Sequence, residues 1–252
     1  MSIEDLKKDW EEMAKLDPYW AILGVPSKQY GKWDIDEFFH TGEIEIKNIL
    51  DILEELEFSY QKNKVLDFGC GVGRLTRELS KKFGKCYGVD ISETMIELAK
   101  YHNKEYSNCE FIVNDKEDLK VFKDNFFDFI YTNIVLQHIP DAMLIKSYLE
   151  EFLRILNPGG ILIFQLPTHT PNFGKSLPKQ SKFRELREKG FSADFLYEQK
   201  KIVPIRMNCI PEKDVEEIIK NNEGKIIRKQ SDNMAGSEVD SMTYFVTKYI
   251  SK

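Results

Sequence analysis

The stretch Val65-Leu66-Asp67-Phe68-Gly69-Cys70-Gly71-Val72-Gly73 decides the fold. A short run with the composition of a buried strand meets glycines at every second position. Leu75, Leu79 and Phe83 then recur at helical spacing. Only glycine lets a backbone turn this tightly and approach a ligand with no Cβ in the way. The helix start beyond the turn is expected to offer free amides. A dinucleotide fingerprint needs G-x-G-x-x-G. Counting from Gly69, the sixth position is Arg74, so the loop is G-x-G-x-G and a nicotinamide oxidoreductase is disfavoured. Asp67, two residues before the first glycine, repels a pyrophosphate and suits a cationic amino-acid ligand. The next apolar run ends in Asp90, 23 residues after Asp67. An acid about 20 residues past such a loop accepts both hydroxyls of a ribose.

Working outward, strands are expected at 65–68, 86–89, 111–113, 126–132 and 161–166, with helices between them. Ser92 caps the helix carrying Met95, Ile96 and Ala99, and Asp141 caps the one carrying Leu144, Ile145, Tyr148, Leu149 and Phe152. Asn157-Pro158-Gly159-Gly160 ends the latter. After Pro167 the rhythm breaks, and residues 167–206 read as a cap insertion over the carboxyl edge of the sheet, partly helical near 181–189. A helix at 211–221 and strands at 225–229 and 243–249 follow, the strands pairing antiparallel. At the other end, Ile3, Leu6, Trp10, Met13 and Ala14 predict an amphipathic helix over 3–16, stopped by Asp17-Pro18. Residues 18–40 read as aromatic and irregular. Thr41 is expected to cap a helix whose apolar face is Ile46, Ile49, Leu50, Leu53 and Leu56. The expected class is therefore α/β: a doubly wound, Rossmann-like sheet of seven strands, mostly parallel with an antiparallel last strand. Residues 1–60 form an N-terminal helical and aromatic extension, and 61–252 the main domain with its cap insertion.

With these residues in place, the chain resembles the class I S-adenosylmethionine-dependent methyltransferases, of the small-molecule type. The glycine loop is similar to their first motif, and Gly88-Val89-Asp90-Ile91-Ser92 to their ribose-binding second strand. Asn114-Asp115 resembles the adenine-binding acid, residues 126–139 the fourth-strand motif, and residues 153–160 the helix and turn that follow. The ordered motifs span residues 64–166. The resemblance implies S-adenosylmethionine as cofactor and S-adenosylhomocysteine as product. It places the backbone of Gly69, Gly71 and Gly73 against the methionine part and Asp67 near the ammonium. Asp90 would meet the ribose, with Ile91 on the adenine face. Asp115 would accept from the adenine amino group, with Asn114 beside it. Asn133 and Ile134 would line the methionine side. Arg74 either holds the ligand carboxylate bidentately or stands as a first-turn surface residue. Trp33, Phe39 or Tyr19 either covers the sulfonium through a cation–π contact or packs the first helix onto the sheet.

Methyl transfer asks the protein chiefly to align a nucleophile with an already activated methyl group. His138, after the fourth strand, is the first candidate base, and His169, past the fifth, the second. The alternative for His138 is a residue that orders its loop or touches the cofactor. No metal site is expected, because Cys70, Cys86, Cys109 and Cys209 fit no zinc spacing. The net charge of −6 disfavours nucleic acid, and Thr132-Asn133-Ile134-Val135 lacks the motif of DNA amino-methyltransferases. No run suits a membrane helix and the N-terminus lacks a signal-peptide core, so a cytoplasmic protein is expected. The expected acceptor is a small metabolite, oxygen ahead of nitrogen, with a sugar or polysaccharide precursor in front. The basic residues Lys175, Lys179, Lys182, Arg184, Arg187, Lys200, Lys201 and Arg206 of the insertion favour an anionic one, unless they are a solvated face. A protein or RNA methyltransferase and a catalytically inactive binding subunit stand as alternatives. Monomer and homodimer are both left open.

Overall fold

The computed structural model describes residues 2–139, 141–169, 178–205, 207–236 and 239–249. Its strands are β1 (Lys64–Phe68), β2 (Lys85–Asp90), β3 (Cys109–Val113), β4 (Phe127–Thr132), β5 (Leu156–His169), β6 (Gly224–Asp232) and β7 (Asp240–Lys248). They form one seven-stranded sheet in the order β3-β2-β1-β4-β5-β7-β6. β1 through β5 pair in parallel, and β7 runs antiparallel to both β5 and β6. The chain moves outward from β1 to β3 and then returns to place β4 on the other side of β1. That reversal opens a crevice at the carboxyl ends of β1 and β4, where doubly wound sheets bind their ligands.

Every residue of β4 is buried, as both faces of a central parallel strand demand. Its one acid, Asp128, accepts from the backbone N–H groups of Asn63 and Lys64, both at 2.9 Å, and from Asn157 Nδ2 at 2.7 Å. The buried carboxylate is thereby satisfied, and it joins the entries to β1 and β5.

One face of the sheet is covered by α3 (Ile35–Glu55) and α4 (Arg74–Ser80), whose Ile46, Leu53, Leu75 and Leu79 pack on Val65 and Phe129. The other is covered by α6 (Ala142–Ile155) and α8 (Glu212–Asn221), with Leu149, Phe152, Val215 and Ile219 against Leu66 and Ile130. Between β2 and β3 lies α5 (Glu93–His102), capped by Ser92 as expected, with Met95 N–H donating to Ser92 Oγ at 3.1 Å.

The N-terminal region is more regular than its composition suggests. Asp17 ends α1 (Ile3–Leu16) and then caps α2 (Pro18–Ile22), its carboxylate accepting from Trp20 N–H. Thr41 is not a cap. α3 begins at Ile35, where Asp34 accepts from Glu37 N–H at 2.9 Å, and Thr41 lies inside the helix with its hydroxyl donating to Phe38 O. Asp34 with Glu37 three residues on was the start signal in the sequence, and the buried Phe38 and Phe39 extend the apolar face to it. In the insertion, α7 (Pro178–Glu188) packs Phe183 on Leu196 and Ile202. Lys175, Arg206 and the Lys179 side chain lie outside what is described. Among the described residues no helix is long and apolar enough to cross a membrane.

Candidate functional site

The crevice at the switch point is a cleft with about 790 Å³ of free space, counting its open mouth. Its floor is the glycine loop. Gly69 has φ +76° and Gly71 φ +51°, both in the left-handed region that favours glycine. A Cβ on Gly69 would lie 2.3 Å from Val135 Cγ2, and one on Gly71 2.4 Å from Ile22 Cδ1. The loop amides do not point outward as donors. The N–H groups of Gly69 and Cys70 both go to Val89 O, and that of Gly71 goes to Asp90 Oδ2 at 2.9 Å. The glycines therefore provide clearance for a ligand rather than a set of free amides.

Asp90 holds the loop in place. Its second oxygen accepts from Ser92 N–H at 2.9 Å. Burial pushes its carboxyl up, and the Ser92 and Gly71 amides pull it back. A carboxylate has about four acceptor positions, so two bonds leave room for two hydroxyls of a sugar ring. Ile91, Met95 and Asn114 continue this wall. Asn114 N–H donates to Asp90 O, and its side chain donates to Asp118 O, which fixes the turn after β3.

On the opposite side the chain leaves β4 through Asn133, Ile134 and Val135, all against the cleft. His138 follows in a short 3₁₀ turn and also lines it. Its ring is nearly buried, within 3.2 Å of Gln137 Nε2, and meets the edge of Trp10 at a centroid distance of 5.3 Å. A second, smaller void shares Leu6, Trp10 and His138 with the cleft and adds Asp9, Met13, Pro204 and Ile205.

The roof is the N-terminal region, through residues other than the expected aromatic trio. Leu6 and Trp10 of α1 and Ala21 and Ile22 of α2 cover the cleft. Trp33 packs edge-on to Phe38 and donates to Leu23 O, and Tyr19 packs on Phe38 with its hydroxyl 2.9 Å from His102 Nε2. Phe39 lies under the Arg77 guanidinium at 3.5 Å. Trp10 sits in the stripe with Leu6 and Met13 that reads as ordinary core packing, which is why the pattern alone did not single it out.

Of the residues read from the sequence, the structure gathers Gly69, Gly71, Asp90, Ile91, Asn114, Asn133, Ile134 and His138 at the cleft. It places Asp67, Gly73, Arg74, Asp115, Trp33 and His169 elsewhere. Asp67 is buried beneath the loop, accepting from the Thr76 hydroxyl at 2.5 Å and from the Thr76 backbone, so it caps α4 from below. Burial pushes its carboxyl up to about 7. Gly73 is the N-cap of α4, packed against Asn103 and Phe111. Arg74 is neither a carboxylate ligand in the cleft nor a surface residue: its guanidinium binds Glu45 Oε2 at 2.7 Å and Thr41 Oγ1 at 3.2 Å. Asp115 turns to Lys7 and Lys116, which hold its carboxyl below the usual range. His169 is exposed at the end of β5, opposite Asp240. The Cys70 thiol is buried, and burial with Asp90 and Asp67 keeps it protonated. Among the described residues, no three His, Cys, Asp or Glu are grouped to hold a metal ion.

Residues 66–164 match the family model described as "Methyltransferase domain". A demethylmenaquinone methyltransferase of Staphylococcus saprophyticus is 36% identical over 104 residues, 40% of this chain and 43% of that protein. A phosphoethanolamine N-methyltransferase of Triticum aestivum is 34% identical over 109 residues, 42% of this chain and 21% of that protein. The chain thus spans less than half the length of these curated relatives. Among solved structures, the magnesium protoporphyrin IX methyltransferase of Synechocystis PCC 6803 with bound SAH superposes with a TM-score of 0.62 at 16% identity. That likeness covers 98% of this chain and 99% of that one, and it concerns the fold. The matched segment carries the glycine loop, Asp90 and the wall after β4, so residues 66–164 are similar to a methyltransferase domain.

Proposed function

We propose that this protein moves the methyl group of S-adenosylmethionine to an oxygen, or a nitrogen, of a small molecule. The observation that carries the reading is the convergence of the Gly69–Gly71 floor, Asp90 and Asn133 on one cleft at the switch point. The residues present fit that cofactor. The glycine floor leaves a cradle that a Cβ would fill. Asp90 keeps acceptor positions for a ribose, and Asn133 Oδ1 is a buried acceptor with no partner.

The bound cofactor supplies an electrophilic methyl group on a sulfonium. Asp90 would hold the ribose, with Ile91, Met95 and Asn114 around the adenine and Asn133 with Ile134 beside the methionine part. Leu6, Trp10 and Ile22 exclude water from the reacting centre. His138 is the imidazole among the cleft residues, a group that both accepts and donates a proton, and it lines the cleft and the smaller void alike. We assign it the acceptor's proton. Tyr148 is a poorer base, since burial pushes its phenol up and its hydroxyl donates to Lys116 O.

For the acceptor, the walls support a compact and largely apolar molecule more than a sugar or polysaccharide precursor. Around His138 they are Leu6, Trp10, Ile139, Met13, Pro204 and Ile205, with the charge of Asp9 in the smaller void met by Arg184. The cations of the insertion that favoured an anionic acceptor are partly engaged elsewhere. Arg184 binds Asp9 at 2.6 Å and Arg187 binds Glu12 at 2.7 Å.

Calorimetry with S-adenosylmethionine, S-adenosylhomocysteine and an NADH control tests the reading. Micromolar binding of the first two is expected, about ten- to hundredfold weaker in Asp90→Ala. A folded parent that binds neither sinks it. Labelled-methyl transfer to candidate acceptors then separates the roles of His138. As a base, His138→Asn lowers transfer about 10²–10⁴-fold with cofactor affinity intact.

A further inference from the structure

Glu45 stands in the middle of α3, outside the matched segment and outside the cleft lining. Its carboxylate is only 14% exposed. Its three hydrogen-bond partners all come from the domain beyond. Oε2 takes Arg74 Nη2 at 2.7 Å, and Oε1 takes the Tyr131 hydroxyl at 2.9 Å and Asn133 Nδ2 at 2.8 Å. Burial and the Glu45 charge keep the Tyr131 phenol protonated, so it is a donor here.

The bond to Asn133 decides which way that amide faces. Its N–H₂ end is committed to Glu45, with Met234 Sδ at 3.6 Å on the same nitrogen. Its carbonyl oxygen is therefore the free end, and Oδ1 is buried without a partner. An orphaned buried acceptor is costly, and a cationic N–H is its strongest partner. A second observation falls on the adjoining residue. Ile134 has φ +58°, a left-handed backbone that a β-branched side chain rarely adopts. Strain of this kind persists where the surroundings impose it, and it gathers at ligand sites.

We propose that Glu45 is a positioning residue for the amino-acid end of the cofactor. By holding Asn133 Nδ2, it turns Oδ1 to receive the ligand's α-ammonium. The proposal rests on the cofactor reading above. Without Glu45 the amide is free to rotate and present its own donors to a cation. A carboxylate accepts on both oxygens, from Arg74 on one side and from Asn133 and Tyr131 on the other. A glutamine accepts on one side only, so Glu45→Gln removes the arrangement with little change in shape.

The probes are S-adenosylhomocysteine and 5′-methylthioadenosine, which share the nucleoside and the thioether. Only the first carries the ammonium. Glu45→Gln is expected to weaken S-adenosylhomocysteine about ten- to hundredfold while 5′-methylthioadenosine stays within about twofold. Asn133→Ala is expected to show the same selectivity, and the double variant no further loss. Equal weakening of both ligands means a general structural role and overturns the proposal, as does unchanged binding of both. A folded parent that binds neither ligand overturns the cofactor reading itself, and this proposal with it.

Discussion

The floor and the roof of the cleft are held by different forces. On the floor, the Gly69 amide donates to Val89 O at 2.7 Å and the Gly71 amide to the Asp90 carboxylate at 2.9 Å, at the carboxyl ends of β1 and β2 inside the sheet. The roof is α1 and α2, held from two sides by charged side chains. Glu11 binds Thr94 and Ser92 at the start of α5, and Lys7 binds Glu93. On the other flank Arg184 binds Asp9, and Arg187 binds Glu12. Part-exposed pairs contribute only about 0–1 kcal/mol each, whereas the inside of a sheet opens only with the core. The floor is therefore expected to be the stiffer wall, and the roof the wall that gives way first.

That contrast separates two tryptophans in the same region. Trp33 packs among Phe38 and its neighbours away from the cleft, and Trp10 roofs it. Trp33→Ala is expected to cost about 3 kcal/mol of stability with S-adenosylhomocysteine affinity near that of the parent, once folded. Trp10→Ala is expected to show the opposite balance, with a smaller loss in melting temperature and about tenfold weaker binding. Urea unfolding and calorimetry on both variants read this out. The same balance in the two would erase the distinction between packing and roof.

The floor was legible because its requirements are local. A positive φ at Gly69 and Gly71, and an acid at the end of β2, follow from the few residues around them. The strand order was legible for a similar reason, since alternating strands and helices leave few topologies open. Distant partners set the rest. Asp67 and Arg74 belong to the motif, yet their side chains turn to Thr76 and Glu45. Nothing in the spacing of Glu45 announces Arg74, Tyr131 and Asn133. The roof was hidden in the same way: the helical periodicity of Trp10 says only that it packs, not against what, and Ile22 falls in the stretch read as irregular.

Asp67 sharpens the floor side of the contrast through pH. Its carboxyl titrates near 7 in the folded chain and about 4 when unfolded. Below about pH 4 both states hold the proton. As pH rises toward 7 the unfolded chain ionises first, so this residue removes stability, and above 7 the loss is complete. Asp67→Asn keeps an acceptor for Thr76 and abolishes the titration. Its stability relative to the parent should therefore rise between pH 4.5 and 7.5, on the order of 3 kcal/mol. Urea midpoints at the two pH values check the sign. A variant that instead loses ground as pH rises shows the carboxylate to be ionised and needed there.

The smallest expected effect belongs to the roof. Arg187 donates to Glu12 Oε1 from Nε at 3.0 Å and from Nη2 at 2.7 Å, in a pair where neither side chain is fully buried. Salt screens such a pair. Arg187→Gln loosens one attachment of α1 and leaves the floor untouched, so the release rate of S-adenosylhomocysteine should rise about two- to fivefold. The parent should show a similar rise between about 0.05 and 0.5 M salt, and the variant less of one. Stopped-flow displacement measures both. Because the Glu11 attachment to α5 uses backbone and hydroxyl donors rather than a cation, part of the barrier to opening should survive high salt. Release that becomes as fast in salt as in Trp10→Ala would place the whole hold on the ion pairs. Release indifferent to both salt and Arg187 would place it on the apolar contacts of Leu6, Trp10 and Ile22 alone.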